Sequence, residues 1–493
     1  MALFGKKLVE FKTWHKPNME TLQRTANRGS ISTANYEVDN SVKLQTAGVN
    51  SEFFNRTFSS ASNRKTWTFS TWCKRTTLGS NNYLLDAYNN SNTFFILGFS
   101  DVDDIVMYDI ASGTDYGKRT TAVYRDPSAW YHIVFVSDTT NGTAGDRQRL
   151  YVNGVRVTDF DTDYGDPPED YDGSVNDDIQ HRIGSRTDGD TYFSGYLAET
   201  CLVDGTALDP DSFGKFDSNS GIWIPIDITG LSVGTNGVLM KYENASSMGA
   251  ASSGTAFSVQ NINQNDQSSD TPTNNFCTIN PLVDNNFSIW SLTQGGTRGP
   301  NTGETNCSVG TFAVSSGKWY WEGVTTAFSG TNYWKWGVIR ADVQQGNSAD
   351  PATDAGSSWY TGDNAYYTQT STSASSVAYN TGFTGYTAGD IWSISLNCDV
   401  SPYVMTFRIN NSVPGTSANN TDRSVGTFAS SGPVVPFFML YNSSSDDTWH
   451  NFGSPFLAAL KGGNSDANGY GEFKYEPPSG YYALCSKNLA EYG

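Results

Sequence analysis

The sequence predicts an all-β protein, two β sandwiches in tandem behind a short N-terminal arm. Three observations predict it. Apolar residues alternate with polar ones in short runs, as half-buried strands require. Turn residues (Gly, Asn, Asp, Ser) recur every 8–12 positions, a spacing that favours sandwiches over βαβ units. No long helical period or heptad repeat interrupts the pattern.

The 493 residues carry 31 Lys+Arg against 50 Asp+Glu, a formal net charge of −19. Charged residues make up only 16% and aromatics 14%, so the chain has the apolar surface to bury a core and is not an acidic disordered polymer. Phosphate binding needs a basic face, so the charge argues against a nucleic-acid partner. No apolar run reaches membrane-spanning length. The start, Met1 to Lys7, has two lysines but no apolar stretch after them, so no secretory leader is expected and synthesis in the cytoplasm fits. Six cysteines lack any CxxC spacing; Cys73 and Cys201 sit in alternating apolar patterns and read as small core residues rather than disulfides.

The pattern divides the chain into four regions. Residues 1–45 are the arm: Lys6, Lys7, Lys12, Lys16, Arg24 and Arg28 outnumber Glu10 and Glu20, against an acidic remainder. Two readings stand for it, a solvated arm or an electrostatic anchor into an acidic partner. Pro17 and Gly29 suit the start and end of a short helix. Residues 46–215 form the first sandwich. In Thr66–Cys73, Trp67, Phe69 and Cys73 share one strand face. Asn153-Gly154, between Leu150–Val152 and Val155–Val157, is a type I′ hairpin signal, because both turn residues need positive φ.

Residues 216–285 form a packed connector, rich in Ser, Asn, Gln and Gly, whose Phe257, Ile262 and Phe276 are expected to tie it to a domain surface. Residues 286–493 form the second sandwich with a C-terminal tail. Its strands are expected at Lys318–Glu322, Tyr333–Val338, Asp390–Leu396, Met405–Ile409 and Val434–Tyr441.

Trp67-Thr-Phe-Ser-Thr-Trp72, Trp130-Tyr-His132, Leu150–Gly154, Ile183-Gly184 and Phe193–Glu199 stand in an order that resembles the laminin-G/concanavalin-like jelly-roll family. Gly317–Glu322, Trp336–Val338, Gly389–Trp392 and Pro436–Phe438 are similar to a SPRY domain, itself a concanavalin-like sandwich. The joining segments Gly221–Pro225, Gly234–Gly237 and Asp270–Phe276, with the ending Pro477–Tyr481 and Leu484–Leu489, resemble tailed-bacteriophage virion proteins that carry the two modules in this order. The resemblance implies a particle-borne tail fibre or capsid appendage. It would be made in the host cytoplasm, docked to other virion proteins through the arm, present its sandwiches to host cell-surface glycans, and form a homo-oligomer, with a trimer favoured because weak sites gain from multiplicity.

The chemistry expected is binding rather than catalysis. A glycosidase needs paired carboxylates at sheet spacing, and an E-x-D-x-x-E run is absent. Neither a G-x-S-x-G elbow nor a Walker loop occurs, and His132, following Trp130 and Tyr131, reads as a structural histidine. Asp159, Asp161 and Asp163 put carboxylates at every second residue, with further acids up to Asp178; the loop is either a Ca²⁺ site of the kind the resemblance implies or a solvated acidic loop, and it fails the EF-hand pattern. Aromatics in loops are candidates for stacking on sugar rings: Trp359, Tyr360, Tyr366 and Tyr367 in the 341–388 insertion, and Tyr164, Tyr171 and Tyr192 in the first sandwich.

Overall fold

The structure is a computed structural model that describes residues 36–45, 51–187, 191–282, 292–300, 306–327, 334–341, 358–361, 366–368, 377–380, 386–413, 423–424, 432–440 and 447–493. The arm residues Lys6, Lys7, Lys12, Lys16, Arg24 and Arg28 lie outside them.

Alternation in the first half sorts its strands into two antiparallel sheets. One runs in the order Val155–Arg156, Gln148–Val152, Trp130–Asp138, Thr66–Arg75, Gly195–Asp204, Ser41–Leu44, Gln267–Ser268. The other runs Phe160–Asp163, Lys118–Val123, Asp104–Ala111, Thr93–Phe99, Asn82–Asn90, Gln180–Ile183, Phe53–Thr57, Ser258–Gln260. Their inner faces meet in a core that holds Trp67, Phe69 and Cys73 together with Phe95, Phe135 and Leu197. The predicted hairpin is present, with Asn153 at φ 49° and Gly154 at φ 75°. Gly154 has a second reason to be glycine: a Cβ there would stand 2.3 Å from the Trp223 ring.

The segment 216–285, expected as a connector packed on a surface, is built into the first sandwich. Val238–Met240 pairs with Gly195–Asp204, Ser258–Gln260 with Phe53–Thr57, and Gln267–Ser268 with Ser41–Leu44. It also roofs the outer face of the first sheet, where Val134, Val136, Cys201, Val203 and Leu239 are buried with Ile228 and Val233. We call this sheet the covered sheet and its partner the open sheet.

In the second half, Arg298–Pro300, Asp447–Asn451, Lys318–Ala327, Ile391–Asn397, Val404–Ile409 and Arg423–Ser424 form one sheet. The other is Asn306–Val309, Val434–Leu440, Trp334–Arg340, Ser358–Thr361, Tyr366–Thr368, Val377–Asn380. All five expected strands are found, within three residues at most ends and extended to Ala327 in the first. Trp319, Trp321, Trp336 and Trp392 are its core. Tyr482–Ala483 joins in parallel beside Lys318–Ala327, and the tail ends in the short helix Ser486–Tyr492. The fold class is therefore the one the sequence predicts, an all-β tandem of sandwiches.

Two buried lysines on the outer face of the covered sheet lock the halves together. Lys43 Nζ donates to both oxygens of Glu52, to Gln294 Oε1 at 2.8 Å, and pairs with Asp266 at 2.7 Å. Lys74 Nζ lies 2.7 Å from Asp270 and also donates to Asn275 Oδ1 and the Phe276 carbonyl. Tyr196, from the same face, donates to the Gly295 carbonyl at 2.7 Å.

The thiols of Cys73, Cys201, Cys277, Cys398 and Cys485 are free and buried, as a core role requires. His132 is likewise structural. Its Nδ1 accepts from Trp223 Nε1 at 2.9 Å, which leaves Nε2–H to meet Ser70 Oγ at 2.9 Å. Burial holds His132 and His450 down to about 3 and His181 down to about 4. Burial also pushes Asp109, Glu199 and Glu322 up to about 7, and Glu52 likewise against the pull of Lys43.

These groups predict a pH profile. Unfolding lets the histidines bind protons below about 6.5, so folding loses stability as pH falls from there toward 3–4. The four acids hold protons in the folded chain that the unfolded chain releases near pH 4, so folding loses stability as pH rises toward 7. With three histidines against four acids the two trends largely cancel, and the melting temperature should decline only gently between pH 4.5 and 6.5. Below that range stability should fall by up to about 4 kcal/mol per pH unit, and it should fall again as pH approaches 7. Scanning calorimetry from pH 4 to 8 tests it; a steady rise across the whole range would contradict it.

Candidate functional site

With the covered sheet roofed over, the open sheet is the one whose outer face, among the described residues, has no second layer of strands on it. Its strands carry residues that alternate outward in register. Arg182 stands beside Asp86, Asp86 beside Ile96, and Ile96 beside Tyr108. A neighbouring row sets Tyr88 beside Phe94 and Phe94 beside Ile110. Tyr83, Gly98, Val106 and Arg119 make a third. The result is an apolar and aromatic layer of Tyr83, Phe94, Ile96 and Val106, with Tyr88, Tyr108 and Ile110 half-buried at its surface.

Two glycines allow close packing on this face. A Cβ at Gly117 would lie 2.1 Å from Tyr108 Cδ1, whereas one at Gly98 would first meet the neighbouring strand's backbone, Asn82 O at 2.4 Å, before Tyr83 Cδ1 at 2.9 Å. The Tyr108 ring therefore lies against backbone that any larger residue would lift it from. Charged groups flank the layer. The Arg186 guanidinium sits 5.0 Å over the Phe94 ring and that of Arg182 4.6 Å over Phe53, within cation–π range. Arg119 pairs with Asp104 at 3.0 Å, and Asp86 accepts from the Thr187 N–H at 3.0 Å. Burial pushes the Tyr108 hydroxyl upward, with Tyr164, Asp115 and Tyr83 adding to the shift against Arg119.

Of the aromatics expected to bind, two come to this face from opposite edges. Tyr164, 56% exposed, comes just after the edge strand Phe160–Asp163 and stands beside Tyr108. Tyr192 packs on Phe53 at 6.0 Å between ring centroids, near Arg182. Tyr171 does not join them. Its hydroxyl donates to the buried Asp109 at 2.8 Å and its ring meets Tyr116 edge-on, so it holds the loop to the core.

Trp359, Tyr360, Tyr366 and Tyr367 were expected on loops. Their backbones instead form the paired strands Ser358–Thr361 and Tyr366–Thr368; their side chains lie outside what the structure describes.

In the acidic segment, Asp161 and Asp163 fall on the edge strand, and Asp159 accepts from Thr121 Oγ1 just before it. Basic side chains distant in sequence meet most of the remaining carboxylates. Lys118 bridges Asp163 at 3.3 Å and Asp166 at 2.7 Å, Arg147 meets Glu169, Lys65 meets Asp170, and Arg64 meets Asp177. Among the described residues, no group of three or more His, Cys, Asp or Glu stands together as a metal site.

Sequence reasoning missed Tyr83, Tyr88, Tyr108, Arg182 and Arg186. Tyr83 and Tyr88 lie in an interrupted alternation, and the unbroken run Phe94–Leu97 hides which of its residues faces outward.

No curated protein matches the chain. Among solved structures, the SPRY domain of human HERC1 is 15% identical with a TM-score of 0.25, covering 35% of this chain and 96% of that one. The native heptameric SAP-like pentraxin from Limulus polyphemus is 15% identical with a TM-score of 0.26, covering 36% and 80%. Domain 4 of the extracellular arabinanase AbnA from Geobacillus stearothermophilus, solved with arabinotriose, is 17% identical with a TM-score of 0.25, covering 33% and 70%. The family model of the concanavalin A-like lectin/glucanases superfamily, Laminin_G_3, matches residues 49–211, and it is to that superfamily that the first sandwich is similar.

Proposed function

We propose that the protein is a non-enzymatic glycan-binding protein whose open sheet face takes a saccharide, the tyrosine layer at Tyr108 and Tyr164 supplying the platform. The observation that carries this reading is that layer, its Tyr108 ring seated on Gly117, in the part of the chain that matches a lectin/glucanase superfamily. Sugar C–H faces stack on tyrosine rings, and the flanking arginines supply hydrogen bonds that orient a ligand. The finer reading is a tailed-bacteriophage virion protein, a tail fibre or capsid appendage. In it the basic arm docks to other virion proteins, a homotrimer multiplies weak sites, and host surface glycans are the ligand. The order of the sequence motifs supports it.

The test measures saturable binding to host-type envelope polysaccharides together with release of reducing ends. Tyr108→Ala and Tyr164→Ala are each expected to weaken binding about tenfold, the equivalent of 1.4 kcal/mol. Tyr164→Ala should leave the melting temperature unchanged, since that side chain is exposed. Undiminished binding in the double variant would remove the open face as the site, and released reducing ends would overturn the non-enzymatic reading. Repeating the assay in EDTA tests Ca²⁺ at Asp159, Asp161 and Asp163: binding lost on chelation in the parent and already lost without EDTA in Asp159→Asn/Asp161→Asn would support the ion there, and unchanged binding would remove it.

A further inference from the structure

A second recess lies where the two sandwiches meet, away from the open sheet. It is a groove of about 410 Å³, within the range of small-ligand sites. Three stretches far apart in the chain wall it: residues 37–40 before the first strand, 267–276 at the end of the covered sheet, and 454–487 of the second sandwich.

Its floor is fixed. Ser268 Oγ and Ser454 Oγ share a hydrogen bond at 2.6 Å across the two halves. Thr273 Oγ1 accepts from the Val38 N–H at 3.0 Å and donates to the Val38 carbonyl at 3.1 Å. On one wall Lys487 is held between Glu37, at 2.7 Å, and the face of the Tyr470 ring, at 5.2 Å. The other charged groups are held apart from any partner. Among the described residues, the Asp39 and Glu472 carboxylates and the Lys461 ammonium line the groove with no hydrogen bond or ion pair inside the protein.

We propose that this groove is a second saccharide subsite, one that takes a neutral sugar and that exists only where the two sandwiches are joined. The proposal deepens the glycan-binding reading and rests on it. The chemistry selects the ligand class. A sugar hydroxyl donates one hydrogen bond and accepts others, so neighbouring hydroxyls can donate to Asp39 or Glu472 while accepting from Lys461. An anionic ligand would meet two unpaired carboxylates, and a cationic one the unpaired ammonium. The walls are mostly hydroxyl, amide and charged groups, with Val38, Pro455 and Phe276 the apolar exceptions, so there is no recess for the apolar side chain that usually anchors a peptide.

The experiment is saturation-transfer NMR on the full chain. The probes are glucose, galactose, mannose, N-acetylglucosamine and their disaccharides, with a mixed-charge peptide as the alternative ligand. At least one neutral sugar is expected to bind saturably, with Kd raised tenfold or more in K461A/E472A. It should bind normally to the groove in Y108A/Y164A. The groove side chains are unpaired, so K461A/E472A should keep the parent melting temperature. Three results would overturn the proposal: no neutral sugar binds, sugar binding in the Y108A/Y164A background survives the addition of K461A/E472A, or the peptide binds the groove in place of every sugar. Loss of sugar binding in Y108A/Y164A with no effect of K461A/E472A would leave the open face standing and remove the groove. The reverse would do the opposite.

Discussion

A chain cut after residue 215 is expected not to fold, although it retains the whole segment that matches the lectin/glucanase superfamily. The reason lies in residues 216–285, which such a cut removes. Val238, Met240, Tyr242, Met248, Phe257 and Ile262 all lie in the main core of the first sandwich. At roughly 1.5–3 kcal/mol for each large apolar side chain buried, these six match the whole net stability of an ordinary domain, about 5–15 kcal/mol. The cut also strips the roof from Val134, Val136, Cys201 and Val203, leaving a contiguous apolar face in water. Trp223 goes with it, and His132, at 0% exposure, loses the indole N–H on its Nδ1. Expression of the truncated chain should give aggregate, or a soluble form that binds a hydrophobic dye and melts without a cooperative transition. A sharp calorimetric transition in that piece would show that the roof is dispensable.

That same roof marks where the sequence was legible and where it was not. Strands with a clean alternation, such as Thr66–Arg75 and Lys318–Ala327, declare themselves because burial of one face imposes a period of two. The Asn153-Gly154 turn declares itself through the backbone conformation it needs. The segment 216–285 does not, because its strands are two or three residues long and separated by Ser, Asn and Gly, a composition that a flexible linker shares. Its role depends on the apolar outer face of a sheet contributed by other parts of the chain. The acidic loop is opaque for a similar reason. The spacing of Asp159, Asp161 and Asp163 is a property of the local sequence, whereas Lys118, Arg147, Lys65 and Arg64 reach the loop through the tertiary fold.

The candidate site divides along the same line. Tyr164 and Tyr192 could be chosen as loop aromatics, but nothing local tells that they border one sheet face while Tyr171 turns inward to Asp109. The pair Gly98 and Gly117 carries the stronger signal in retrospect. A glycine within a strand, or just before one, weakens pairing unless something must lie close to the backbone; at Gly117 that something is the Tyr108 ring, and at Gly98 it is first the backbone of the neighbouring strand.

Replacing Lys74 by methionine is expected to be among the most damaging single substitutions in the chain, and the damage should depend on pH. Lys74 and Asp270 are paired at 2.7 Å with side chains 0% and 1% exposed. Asp270 also accepts from Trp130 Nε1 at 3.0 Å, and Lys74 reaches the Phe276 carbonyl at 2.9 Å, so the pair ties the covered sheet to the chain leading into the second sandwich. Methionine keeps most of the side-chain volume and removes only the cation. The carboxylate is then buried without its counter-charge, a loss of about 3–5 kcal/mol for breaking such a pair. Burial already pushes Asp270 upward against the pull of Lys74; without the lysine it rises further, so in the variant the folded chain holds a proton that the unfolded chain releases. The variant's deficit should therefore be largest at pH 8 and shrink as pH falls toward 5 and Asp270 takes up a proton. Lys74→Met/Asp270→Asn removes both charges and should recover part of the loss at pH 8. If the deficit is the same at pH 5 and pH 8 and the second substitution recovers nothing, the lysine serves only as packing and its charge contributes nothing to stability.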